Sequence, residues 1–225
     1  MSPSVVYYLD HIQTITESDV SELLPFLSQE RRETMGRYRF PKDRIQSVLA
    51  YLLLRYGLIR DHGITQIPEI LKTERGKPYF AENSEICFNL SHCETAVACG
   101  FSSRPIGVDV QQRVPYKASL AEYFMTADER NTAVLGNADL EFTRLWTVKE
   151  SYGKYLGSGI CYSMADTQLQ EGASSDGYII RSHCIGDGFL SVCAEEEIPV
   201  KKISFHQLRA CFVGSVGSNI EREHI

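Results

Sequence analysis

A chain of 225 residues with 43% hydrophobic and 23% charged residues has the make-up of an ordinary globular protein, large enough for one large domain or two smaller ones. A formal net charge of -6 excludes general polyanion binding, which draws on a surplus of Lys and Arg, so no nucleic-acid partner is expected and any phosphate binding has to be local. The seven cysteines (Cys87, Cys93, Cys99, Cys161, Cys184, Cys193 and Cys211) include no Cys-x-x-Cys pair and match no common zinc spacing, which points to reduced, buried thiols and a cytoplasmic location.

The N-terminal residues Met1 to Asp10 lack the basic flank and apolar run of a signal peptide, and the longest apolar run, Val48 to Leu54, is far short of the ~20 residues of a membrane span. Val5 to Leu9 predicts a first strand, and Glu22 to Met35 a helix with Pro25 in its first turn. From Pro41 to Ile59 the apolar residues Ile45, Val48, Leu49, Leu52, Leu53 and Tyr56 recur at helical spacing, with Gly63 as the stop. The Gly76-Lys77-Pro78 turn precedes strands over Ile86 to Leu90 and Ala96 to Phe101.

Ile106 to Gln111 alternates with period two, which sets Asp109 and Gln111 on one face of a strand, roughly 7 Å apart. Ser119 predicts a cap for a helix over Leu120 to Met125, and Thr126-x-x-Glu129 is a capping box. A long helix is expected over Asp139 to Leu156, closed by Gly157 and Gly159; short strands follow over Ile179 to Phe212, and the tail from Gly214 is expected to fray. Helix followed by strands thus occurs twice, with the change near Ser102 to Pro105, and Ala96-Val97-Ala98-Cys99 is faintly echoed by Leu190-Ser191-Val192-Cys193.

Trp146, Glu150 and Lys154 form one stripe along the long helix, which on its own is equally a core Trp beside a solvated Glu/Lys pair. Asp109, Gln111 and Glu150 together offer two carboxylates and an amide oxygen, a donor set suited to magnesium, with manganese as a substitute. Asn89-Leu90-Ser91-His92 ends a strand and sets His92 at its exit. The absence of a Gly-x-Ser-x-Gly elbow argues against a serine hydrolase, and no Walker-type loop occurs. Arg31, Arg32, Arg37, Arg39, Lys42 and Arg44 crowd one segment, either as a solvated face or as a local anion site.

In order, Gly76-Lys77-Pro78, Phe88-Asn89-Leu90-Ser91-His92, Gly107-Val108-Asp109 and Trp146-Thr147-Val148-Lys149-Glu150-Ser151-Tyr152-Gly153-Lys154 resemble the motifs of the Sfp-type 4′-phosphopantetheinyl transferases, over about residues 28 to 160. The resemblance implies an α+β fold of two similar halves, 1–103 and 104–213 followed by a tail at 214–225, with the site in the cleft between them. It implies coenzyme A as donor, a serine of an acyl or peptidyl carrier protein as acceptor, and a monomer as sufficient. By the same resemblance Asp109 and Glu150 would hold the metal, with Gln111 able to add a neutral ligand, Glu150, Lys154 and Lys149 would be catalytic, and Lys77, Ser91, His92 and Lys154 would hold coenzyme A. Arg31 with one or more of Arg37, Arg39 and Arg44 would cover its 3′-phosphate.

Gln111 stands where many members carry an acid, and Gln46 where an arginine is usual. Leu120, Phe124 and Met125 are expected either to dock the carrier or to pack the core. Two other functions use the same residues: a non-catalytic module that binds coenzyme A or carrier proteins, and a magnesium-dependent phosphodiesterase acting on coenzyme A or nucleotides.

Overall fold

The computed structural model describes residues 3–83, 85–158 and 162–214. The chain opens in strand β1 (Val5–Asp10), whose residues Val5, Tyr7 and Leu9 enter one core while Val6 enters another. In place of the single helix predicted over Glu22 to Met35 there are two short ones, α1 (Glu17–Ser21) and α2 (Gln29–Gly36), with a 3-10 turn over Leu24–Phe26 between them. Pro25 cannot donate within a helix, and Ser28 restarts the chain by accepting the amide of Arg31 at 3.2 Å.

Helix α3 (Pro41–His62) begins on a proline, buries Ile45, Leu49, Leu52 and Leu53, and stops at Gly63, whose φ of 67° is the left-handed cap that glycine adopts freely. Two short strands, β2 (Ile70–Lys72) and β3 (Pro78–Phe80), form a hairpin around the Gly76-Lys77 turn. Strands β4 (Cys87–His92), β5 (Ala96–Ser102) and β6 (Ile106–Gln111) follow close to their predicted places.

The second half continues with α4 (Ala118–Phe124), α5 (Ala127–Leu135), which carries the predicted Thr126/Glu129 capping box, and the long α6 (Ala138–Leu156). Lys117, rather than Ser119, occupies the cap position of α4. Gly157 closes α6 with φ 73°; Gly159, Cys161 and residues 215–225 lie outside the described residues. Strands β7 (Gly172–Ala173), β8 (Ile179–Ile185), β9 (Gly188–Ala194) and β10 (Val200–Lys202) come next, and the chain described ends in helix α7 (Phe205–Val213), where strands were predicted.

Two four-stranded sheets result, ordered β10-β1-β5-β4 and β6-β9-β8-β7, so the mixed α+β halves repeat one plan: β1-β5-β4 with α3, then β6-β9-β8 with α6. The faint sequence echo is in structural register, because Cys99 and Cys193 face α3 and α6 respectively, each from the middle strand of its trio. The predicted boundary fails at the end of the chain. β10 runs parallel to β1, and Ile203, Leu208 and Phe212 are buried in the α3 core, so the segment after Pro199 completes the first half. The seam between the sheets is itself a core, with Val6, Ala96 and Ala98 meeting Ile106, Val108, Val110, Leu190 and Val192.

At the end of α3 the His62 ring packs 5.5 Å from that of Phe101, with Nε2 buried and unpartnered among the described residues. Burial pushes its pKa below the ordinary 6.5, against the opposing pull of Asp61 and Glu85. The unfolded chain then takes up this proton first, so the stability it contributes is present above about pH 6.5 and is lost as pH falls through the lower folded value. Melting temperature is expected to drop between pH 7.5 and 5.5 by less in His62→Phe than in the wild type; equal slopes would remove His62 from the account.

Candidate functional site

Strands β4 and β6 run side by side across the seam without a backbone ladder. The side chains of β4 take that role: Asn89 Oδ1 accepts the amide of Val108 at 2.8 Å and Ser91 Oγ that of Val110 at 3.2 Å. Buried donors need such partners, which explains why polar Asn89 and Ser91 alternate with apolar Phe88 and Leu90. Ser91 also donates to Asp109 Oδ1 at 2.8 Å. The strand that anchors the second half therefore carries its carboxylate directly to the join.

Asp109 is 6% exposed. Its Oδ1 also accepts Lys154 Nζ at 2.7 Å, and that ammonium further donates to Ser91 Oγ and the Val108 carbonyl, both at 3.1 Å. Its Oδ2 is buried with no hydrogen-bond partner among the described residues. Burial pushes the Asp109 carboxyl above its usual range, while Lys154 and Ser91 oppose the shift. Glu150, one helical turn before Lys154 and half-buried, is raised by burial and then by the negative charge of Asp109. Two acids and one base thus converge where β6 meets α6, and one oxygen of Asp109 is left without a hydrogen bond among the described residues. Gln111, half-buried at the end of β6, lines a recess with Asp10 and His11 from the first half and Gly186 and Asp187 from the second.

On the first half, His92 leaves β4 beside these groups. Although exposed at its edge, His92 has its pKa lowered by the protein packed about it and next by Lys154, while Asp43 and Asp109 raise it and Arg31 lowers it, which sets α2 and the start of α3 around the ring. The Arg31 guanidinium lies over the Tyr51 ring, 5.2 Å from its centre. Arg37 and Arg39 are exposed.

Several expected ligand contacts have protein partners instead. Arg44 donates to Glu17 at 2.6 Å and to the Tyr38 carbonyl at 2.9 Å, fixing the turn into α3. Lys77 Nζ lies on the carbonyls of Lys154, Tyr155 and Ile106 at 2.6, 3.0 and 3.3 Å. Lys149 was expected to be catalytic. It is 0% exposed and donates to the carbonyls of Phe124, Met164 and Thr167 and to Glu129 Oε2 at 2.7 to 3.0 Å, so it holds α4, α5 and the Tyr162–Asp166 turn on α6 and does not reach the cleft. One residue along a helix is about 100° of rotation, which turns Lys149 inward while Glu150 looks out.

Phe124 and Met125 are fully buried and Leu120 partly so, in a cluster with Phe142 and Leu145; of the two alternatives for these residues, core packing is what the structure shows. Sequence reasoning passed over Asn89 and Glu129 as site supports. The strand alternation around Asn89 and the capping box ending at Glu129 were the available signals.

Comparison with known proteins matches residues 105–203 to the family model described as the 4′-phosphopantetheinyl transferase superfamily. Residues 14–102 match the one described as 4′-phosphopantetheinyl transferase, N-terminal. Among curated proteins the chain is 31% identical over 150 residues to 4′-phosphopantetheinyl transferase psf-1 of Bacillus pumilus, covering 65% of this chain and 64% of that one, just under two thirds of its length. It is 28% identical over 157 residues to 4′-phosphopantetheinyl transferase Sfp of Bacillus subtilis, covering 68% and 69%. With 4′-phosphopantetheinyl transferase pptA of Paxillus involutus it shares 30% identity over 187 residues, covering 70% and 71%.

Proposed function

This chain belongs to the 4′-phosphopantetheinyl transferase superfamily, and on that footing we propose that it moves the phosphopantetheine arm of coenzyme A onto a serine of an apo acyl or peptidyl carrier protein, releasing adenosine 3′,5′-bisphosphate. The observation that carries this reading is the Asp109, Glu150 and Lys154 cluster at the seam, with Asp109 Oδ2 buried and unpaired among the described residues. An orphaned carboxylate oxygen beside a second carboxylate is a donor set that fits a hard divalent cation. Asp109 and Glu150, with the Gln111 amide oxygen, would hold magnesium, which when bound neutralises charge on the diphosphate.

The chain's own residues would do the rest. His92 and Arg31, with exposed Arg37 and Arg39 nearby in sequence, meet the phosphate at the nucleotide end, and Ser91 keeps Asp109 in place. Lys154 turns its ammonium from Asp109 to the diphosphate and offsets charge on the leaving bisphosphate. Glu150 takes the proton of the serine hydroxyl; burial and Asp109 raise its carboxyl, which makes its ionised form a better base. The serine oxygen bonds to the β-phosphorus as the bond to the bridging oxygen breaks. We place the reaction in the cytoplasm, in keeping with the six described cysteines, none of which is in a disulfide among the described residues. Among the described residues no helix is long and apolar enough to cross a membrane.

The test is intact-mass measurement of an apo carrier incubated with the protein, coenzyme A and magnesium. A phosphopantetheine-sized gain that requires metal supports transfer. Free phosphopantetheine without a carrier would indicate the phosphodiesterase. Bound coenzyme A with no gain on fatty-acid, polyketide or peptide carriers would leave a binding module, the alternative that neutral Gln111 favours. Gln111→Glu restores a negative charge and is expected to tighten manganese binding roughly tenfold, read by titration; unchanged affinity would exclude position 111 from the metal site.

A further inference from the structure

Lys77 has its backbone fixed before its side chain reaches anything. In the turn between β2 and β3 the Lys77 amide donates to Thr73 Oγ1 at 3.1 Å, the Thr73 amide to the Lys77 carbonyl at 2.9 Å, and the Gly76 amide to the Thr73 carbonyl at 2.8 Å. From there the side chain crosses the seam, and its three donors find three carbonyl oxygens: Lys154 and Tyr155 in the last turn of α6, and Ile106 at the start of β6. Helix ends leave carbonyls without intrahelical partners and carry the negative end of the peptide dipoles, so an ammonium is well placed there.

The two elements so pinned are those that carry the site. Lys154 has its backbone carbonyl on Lys77 and its side chain on Asp109; Ile106 opens the strand that ends in Asp109 and Gln111. We infer that Lys77 is a positioning residue: its side chain ties the first-half hairpin to α6 and β6 and sets Lys154 relative to the nucleotide end held at His92, and its ammonium does not itself bind the nucleotide. For the Lys77 ammonium to contact a nucleotide, these hydrogen bonds would have to be given up. The inference rests on the transferase reading for its substrate and departs from what the family resemblance implies for this residue.

Lys77→Met and wild type are compared for binding of adenosine 3′,5′-bisphosphate by calorimetry and for kcat and KM with coenzyme A. Bisphosphate affinity and KM within about twofold of wild type, with a binding stoichiometry still near one and kcat lowered about tenfold or more, is expected; a loss of folded protein would lower the stoichiometry together with kcat. A tenfold loss of bisphosphate affinity with kcat kept would overturn the inference.

Reductive methylation of the wild-type protein, read by peptide mass spectrometry, tests the same point if the variant does not fold. Lys77 is expected to stay unreactive with and without bisphosphate, while a reactive Lys77 that bisphosphate protects sinks the proposal. An inactive wild type would count against the transferase reading alone, since the methylation pattern still reports on Lys77.

Discussion

Gly107→Ala is expected to destabilise the protein by about 3 kcal/mol or more, lowering its melting temperature by about 10 °C. A Cβ at position 107 would fall on the Ser151 carbonyl oxygen and the Tyr155 amide nitrogen, and both are backbone. No side-chain rotamer can relieve that overlap; α6 would have to lift from β6, and with it the turn that carries Glu150 and Lys154. Gly36→Ala is the control: nothing lies within 4 Å of its added Cβ at the end of α2, and Ala has the better helix propensity, so its melting temperature should hold or rise. Thermal unfolding of both variants decides the matter. A Gly107→Ala protein that melts within a degree or two of wild type would mean the helix and strand are not in the close contact described.

Asp109→Asn is expected to lower carrier modification on the order of a hundred- to a thousandfold while leaving the fold intact. The amide keeps an oxygen for the Ser91 hydroxyl and keeps the side chain's volume, so the join between β4 and β6 stays filled. Burial already disfavours the charged carboxylate, so the neutral side chain carries little folding penalty. What disappears is the charge that Lys154 and a divalent cation would share. Lys154, a quarter exposed, can turn to solvent and need not remain as an unpaired buried charge. The check pairs modification rate with melting temperature. A large drop in melting temperature would make the activity loss uninterpretable as site chemistry, and near-normal turnover would remove Asp109 from the mechanism.

The elements most legible in the sequence are those with local punctuation. Pro41 and Gly63 bracket α3, Gly157 ends α6, and the alternation at Ile106 to Gln111 sets Asp109 on the face that meets α6. β2 and β3 span three residues each, too few for any period to show. The Ser204/Gln207 capping box that opens α7 was there to be seen, but the strand-like residues before it took precedence. Within the site, the family motifs name Asp109, Glu150 and Lys154, which the fold sets side by side, yet they say nothing of direction. Whether an ammonium points to a ligand or to a carbonyl depends on chain brought in from elsewhere: Lys77 needs the end of α6, Lys149 needs Glu129, and Arg44 needs Glu17 on α1. The aromatic rings of Phe142 and Trp146 around Phe124 likewise decide that this residue is core, and neither the spacing of the apolar positions nor their number could.

The return of β10 and α7 to the first half has a consequence for how the protein is made. While the chain leaves the ribosome, β1 waits with one edge unpaired, and its hydrophobic core lacks Leu208 and Phe212, until almost the entire described chain has been synthesised. Contacts between the two ends of a chain raise the entropy of closure and slow folding, and an exposed strand edge in the interval is open to pairing with another chain. Although the two halves share a plan, the first is finished by residues that follow the second in the chain, so its core closes only after the second half has been made.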